Sequence, residues 1–205
     1  MELILASANE GKIKEIQEIL GYQFKLKSLK ELGITNDIPE TGNTFHQNAF
    51  QKAKYVYEQC KCDVLADDSG LEVMALNRKP GVYSARYAGL PKNDEKNIQL
   101  LLEQLKGITN RQARFVCVIC FIHNGKEYFF EGEIKGAISE HPKGNKGFGY
   151  DPVFIPDGYT KTFAELEPSE KNKISHRYKA LQKLKSFLNK HLIKLEKRCL
   201  FKLNT

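Results

Sequence analysis

At 205 residues, with 41% hydrophobic and 28% charged side chains, the chain is long enough for one soluble domain with a substantial core. No apolar run approaches the ~20 residues of a membrane span, and Met1-Glu2-Leu3-Ile4-Leu5 lacks the basic and cleavage features of a signal peptide, so the expected location is cytoplasmic, away from membranes. The net charge of +7 is confined to one end: from Ser175 onward nine basic residues face the single acid Glu196, the preceding 174 residues sum to −1, and a general nucleic-acid-binding surface is therefore not expected.

Glu2 to Ala6 reads as a short buried strand, and Lys12 to Leu20 as a helix, with Ile13, Ile16, Ile19 and Leu20 at helical spacing. The join, Ser7-Ala8-Asn9-Glu10-Gly11-Lys12, puts free backbone N–H groups and the positive end of a helix dipole at the strand's carboxyl edge, where an anion is welcome. Lys12 adds a full charge. The Walker spacing is absent, and the same residues also read as an ordinary N-cap at Ser7 or Asn9 with a solvated lysine. Gln23 to Leu29 suggests a second strand. Thr44 is placed to cap a helix from Phe45 to Glu58 with Ala49, Ala53, Val56 and Tyr57 inward; Glu40 lies in the loop before it, and Lys52 points along it toward the same region.

Val64-Leu65-Ala66-Asp67-Asp68-Ser69-Gly70-Leu71-Glu72-Val73 carries the strongest signal. An apolar strand meets two adjacent carboxylates where a turn through Ser69-Gly70 is expected, and Leu71 to Leu76, too apolar for a loop, then reads as a further strand. Charge at the edge of a core needs hydrogen bonds, cations or a hard metal. The pair therefore either caps a turn or belongs to a site. On an extended chain successive side chains point to opposite faces, so the two carboxylates are expected to divide their roles.

Pro80 to Tyr87 is turn chemistry followed by Arg86 between aromatic residues, and Asn93 to Leu105 is an amphipathic helix that Gly107 is expected to end. Ala113 to Ile122 and Glu127 to Ile138 are β-rich runs joined through Asn124-Gly125, a hairpin signal. Cys117 and Cys120 face opposite ways on such a strand, which suits core residues better than a metal or redox pair, and five cysteines make a poor disulfide framework. In the stretch from Pro142 to Phe154 three glycines accompany Phe148 and Tyr150; this is either a glycine-rich turn before a core strand or a platform for a flat ring. Ser175 reads as the N-cap of a helix running at least to Leu188. His176 and Arg177 then lie in its first turn, where the dipole disfavours cations, so an anionic or electron-rich group is expected opposite them.

Taken in order, Ser7-x-Asn9-x-x-Lys12, Glu40-Thr41-Gly42, Ala66-Asp67-Asp68-Ser69-Gly70-Leu71, Pro80-Gly81-Val82-Tyr83-Ser84-Ala85-Arg86-Tyr87, Gly147-Phe148-Gly149-Tyr150-Asp151-Pro152, and Glu170-Lys171 with Ser175-His176-Arg177 resemble the inosine triphosphate pyrophosphatase family over about residues 3 to 188. The resemblance implies an elongated, two-lobed α/β fold with a long mixed central sheet flanked by helices and a substrate cleft between the lobes. It also implies a Mg²⁺-dependent homodimer that hydrolyses noncanonical purine nucleoside triphosphates (ITP, dITP, XTP) to the monophosphate and pyrophosphate. By the same resemblance Ser7, Asn9, Lys12, Lys52 and Lys171 contact phosphates, Glu40 and Asp68 hold Mg²⁺, and Asp68 is the general base. Phe148 stacks on the purine; Asp151, His176 and Arg177 read its edge, with Arg177 or a protonated His176 as the donor to a 6-keto oxygen; Ser69, Gly149 and Tyr150 complete the binding set. The domain is expected to span residues 1–205, with 190–205 as a basic C-terminal extension that lengthens the last helix and frays at its end. The competing readings are a nucleotide- or RNA-binding module with an inactive cleft, and a pyrophosphatase of another nucleotide.

Overall fold

In the computed structural model, which describes residues 2–34 and 38–203, with side chains through residue 190, seven strands form one mixed sheet. Strands β1 (Glu2–Leu5), β2 (Lys25–Ser28) and β3 (Val64–Val73) run parallel in the order β2-β1-β3, connected by helices α1 (Glu10–Leu20) and α2 (Phe45–Cys60). The short β4 (Lys79–Pro80) pairs with the end of β3. After helix α3 (Asp94–Gln104) the sheet continues antiparallel through β5 (Gln112–His123), β6 (Lys126–Ile138) and β7 (Phe154–Pro156). Helices α4 (Pro168–Ile174) and α5 (His176–Leu203) close the chain.

Local chemistry accounts for most boundaries. Asn9 caps α1 by accepting from Lys12 N, Thr44 caps α2 by accepting from Gln47 N, and Asn93 caps α3 by accepting from Lys96 N. Asn124 and Gly125 both take positive φ in the two-residue turn between β5 and β6, as a tight hairpin requires. Three expectations are corrected. No turn follows the acidic pair: β3 runs unbroken through it, because β5 pairs with every residue from Val64 to Val73 and satisfies the backbone that Ser69-Gly70 would otherwise bend. The apolar continuation at Met74–Leu76 is a 3₁₀ turn, and α3 ends at Gln104 with Leu105 as its cap, short of Gly107.

Strand alternation splits the interior into three cores. Leu3, Leu5, Leu65, Cys117, Ile119 and Phe121 face α1 and α5. Ile4, Ala6, Val64, Ala66, Val118 and Cys120 face α2. Leu71, Val73, Phe115 and Ile134 join α3 and the β7 region in the third. Thus β3 leaves the first two cores at Ala66 and enters the third at Leu71, with Asp67, Asp68 and Ser69 at the crossing. Cys117 and Cys120 lie on opposite faces as expected, and burial pushes both thiols up to about 12. The start of α5 crosses β6 at Gly132, where a Cβ would stand 2.1 Å from His176 O; only glycine permits that approach. The helix continues to Leu203, and the expected fraying of its end falls on side chains outside the described set.

Candidate active site

The register of β1 against β3 creates the site. Leu5 pairs with Leu65 and Ala6 N donates to Leu65 O at 2.8 Å, after which β1 stops while β3 continues. The Ser7–Lys12 connection therefore opens directly beside Asp67 and Asp68, at the carboxyl ends of the parallel strands. Ser7 Oγ accepts from Asn9 N at 3.2 Å, Asn9 Oδ1 accepts from Lys12 N at 3.0 Å, and Lys12 Nζ lies 3.1 Å from Asp67 Oδ2.

Asp67 and Asp68 point to opposite faces of the sheet. On the α1 and α5 face, Asp67 meets Lys12, Arg177 Nη2 at 3.4 Å and the Ser69 hydroxyl at 3.2 Å. Burial raises its pKa, but Lys12, Arg177 and Lys52 outweigh that and hold the carboxyl well below the usual range. On the α2 face, Asp68 accepts from Lys52 Nζ at 3.1 Å and from Asn48 Nδ2 at 3.2 Å. Here burial prevails over Lys52 and Lys12, with Glu40 adding to it, and the carboxyl is pushed up. Lys52 Nζ also reaches Glu40 Oε1 at 2.9 Å. The two carboxylate oxygens on this lysine are no further apart than the sum of those two distances. Burial lowers the Lys52 pKa, but Asp68 and Glu40 more than reverse this and keep it protonated.

Among the described residues no three His, Cys, Asp or Glu side chains gather as a metal cage. Two hard oxygen donors brought together by one lysine match instead a cation such as Mg²⁺, which takes one or two carboxylates and fills its sphere with water and substrate phosphates.

The remaining expected residues surround a second pairing. Lys171 Nζ lies 2.6 Å from Asp151 Oδ2, and the same oxygen accepts from Phe148 N at 2.9 Å. The half-buried Phe148 ring carries Lys171 Nζ at 4.9 Å and Arg177 Cζ at 5.8 Å from its centroid. Gly149 N donates to Asp94. Tyr150 is a core residue whose hydroxyl donates to Ser84 O, so it supports the Pro80–Tyr87 segment from beneath. Arg177 is 1% exposed and donates to Glu15, to Asp67 and to Ser69 Oγ. These carboxylates are the anionic partners that its place in the first turn of α5 called for. His176 is buried and stacked on Phe115 at 4.8 Å; burial, then Arg177 and Lys171, lower its pKa well below the usual value. The expected protonated His176 is therefore corrected to a neutral imidazole.

Three contributors escaped the sequence reading as site residues. Glu15 on α1 binds Arg177, Asn48 on α2 binds Asp68, and Arg86 holds the Glu40 loop through Glu40 Oε2 at 3.4 Å and Glu40 O at 3.2 Å. Arg86 stood out only by its aromatic neighbours, and the signal that could have found Glu15 is an acid on the buried side of an amphipathic helix.

The sequence matches the Ham1 family over residues 3–187. The chain belongs to the Ham1 family. It is 50% identical over 187 residues to the dITP/XTP pyrophosphatase of Flavobacterium psychrophilum, covering 91% of this chain and 98% of that relative. It is likewise 50% identical over 193 residues to the dITP/XTP pyrophosphatase of Bacillus subtilis, covering 91% and 96%. The structure of the Staphylococcus aureus Ham1 protein superposes with a TM-score of 0.85 at 42% identity, over 93% of this chain and all of that one. In this Ham1 chain the residues after 187 fall outside the family match, and every expected site residue falls within it.

Proposed function

We propose that the chain hydrolyses noncanonical purine nucleoside triphosphates, dITP, XTP and ITP, to the nucleoside monophosphate and pyrophosphate. The observation that carries this reading is a set of three lysines, Lys12, Lys52 and Lys171, each held by a buried aspartate, with Lys12 in the capped first turn of α1. The relatives' names supply the substrate class.

In this reading Ser7, Asn9, Lys12, Lys52 and Lys171 bind the triphosphate. Their carboxylate partners hold the lysines before substrate arrives, so phosphate charge meets cations already gathered at the site. Glu40 and Asp68 would hold Mg²⁺, which when bound neutralises phosphate and leaving-group oxygens. Asp68, made more basic by burial and by Glu40, accepts the proton of the attacking water. The water oxygen bonds to the α-phosphorus, the bond to the bridging oxygen breaks, and pyrophosphate leaves with that electron pair. Lys52 steadies the Asp68 carboxylate through this step.

Phe148 stacks on the purine, and Arg177 with a neutral His176 donates toward its 6-keto oxygen. Adenine presents an amino donor there and leaves the site's own donors unmatched. Because Asp151 and Arg177 are matched to Lys171, Glu15 and Asp67, reading of the base edge requires those pairs to rearrange around it. The test is pyrophosphate release from dITP, XTP, ITP, dATP and dGTP. A kcat/KM advantage of roughly 100-fold for the first three is expected, and equal rates would overturn the reading. The proposed enzyme is a homodimer, which sedimentation equilibrium would check.

A further inference from the structure

Helix α2 presents three amide side chains to the loop that carries Glu40. Gln51 Oε1 accepts from Thr41 N at 3.0 Å, Asn48 Oδ1 from Gly42 N at 2.8 Å, and Gln47 Oε1 from Asn43 N at 2.8 Å. Three successive backbone N–H groups are thus satisfied by the first two turns of one helix. The loop lies so close that a Cβ on Gly42 would stand 2.5 Å from Gln47 Cβ. Of the three amides only Asn48 is fully buried, and it alone reaches an aspartate, its Nδ2 donating to Asp68 Oδ2 at 3.2 Å.

Chemistry fixes which way this amide is turned. A backbone N–H can only donate, so the end facing Gly42 is the oxygen and the end facing Asp68 is the NH₂. With Lys52 on Oδ1, the Asp68 carboxylate is held at both oxygens, by a cation on one and a neutral amide on the other.

We propose that Asn48 is a positioning residue for the hydrolysis: one rigid amide, donating to Asp68 Oδ2 and accepting from Gly42 N, sets the Asp68 carboxylate relative to the Glu40 loop. This rests on the reading of Asp68 as the reacting carboxylate. Leucine would fill the space but strand a buried N–H and a carboxylate oxygen. Aspartate would keep the Gly42 bond and set two carboxylates against each other. Neither holds both ends.

Asn48→Asp is the discriminating variant, because it retains an acceptor for Gly42 N while replacing the donor to Asp68 with a second carboxylate oxygen. With dITP, kcat is expected to fall roughly 10- to 100-fold while KM stays within about twofold. The Kd of an α,β-methylene dITP analogue, measured calorimetrically, is expected to stay within about twofold as well. Gln51→Ala frees Thr41 N without touching Asp68 and should keep kcat within about threefold. A role confined to holding the loop predicts the opposite: Asn48→Asp close to wild type, with any loss carried by KM and Kd and shared by Gln51→Ala. That result overturns the proposal. If Asn48→Asp does not fold, Asn48→Ser is judged by the same kcat, KM and Kd criteria. A wild-type protein that turns over none of these triphosphates, or an Asp68→Asn variant of full activity, overturns the underlying reading and the proposal with it. Active wild type, inactive Asp68→Asn and unimpaired Asn48→Asp overturn the proposal alone.

Discussion

Asp67 and Asp68 are neighbours on β3 with comparable burial, yet their surroundings push them apart. On one face Asp67 is enclosed by Lys12 and Arg177, with Ser69 beside it, and its carboxyl is held down as a permanent anion. On the other face Asp68 has one direct cation, Lys52, which it shares with Glu40, and its carboxyl is pushed up. Two titratable groups driven in opposite directions by their environments suit, in the proposed reaction, a fixed charge and a proton acceptor. The alternation of a β-strand achieves this with adjacent residues, because a shift of one position changes both the helix and the cation that the carboxylate meets. The Asp67 face locks α1 and α5 to the sheet, and the Asp68 face remains linked to the loop that carries Glu40.

The largest effect expected from this division is at Asp68. Asp68→Asn should lower kcat by roughly 10²- to 10⁴-fold, the range for losing a general base, with little change in melting temperature. Asp67→Asn should do the reverse in kind. It leaves Lys12 and the fully buried Arg177 short of their shared counter-charge, so urea denaturation should show a stability loss of about 3 kcal/mol, while folded protein retains more activity than Asp68→Asn. Should Asp67→Asn abolish turnover in a stable protein and Asp68→Asn merely destabilise, the two faces have exchanged roles.

Much of this arrangement was legible in local chemistry. Asn9 and Thr44 as helix caps, Asn124-Gly125 as a hairpin and opposite faces for the acidic pair all follow from residue type and period, which depend on a few neighbours in the chain. The break expected at Ser69-Gly70 failed because backbone pairing came from β5, some fifty residues later. Gly70 is there for a different reason: a Cβ would stand 2.4 Å from Gly81 O and 2.5 Å from Ser84 Oγ. The partners that set each aspartate's state were equally non-local. Glu15 reaches Arg177 across almost the whole chain, and Asn48 was one polar residue of a helix whose inward side is mostly small and apolar. A protonated His176 suited the chemistry of the first helical turn in isolation, but its stack on Phe115 and the adjacent Arg177 and Lys171 could not be read from its own segment.

His176 offers the finest test of the Asp67 face. Burial, then Arg177 and Lys171, exclude a proton from the folded imidazole, while in the unfolded chain histidine titrates near ~6.5. Below that pH, and down to the lower folded value, the unfolded chain binds a proton that the folded one refuses, so stability falls as pH drops; above ~6.5 neither state binds it and the effect vanishes. From pH 7.5 to 5.5 this one group should remove about 1.4 kcal/mol. His176→Phe keeps a ring against Phe115 and removes the titration. Urea unfolding of both proteins at the two pH values should therefore show the variant losing less stability than wild type by that amount. An identical pH dependence in the two proteins would mean that His176 takes up its proton in the fold much as it does in the unfolded chain. The positive charge around Asp67 would then be larger than Lys12 and Arg177 alone supply.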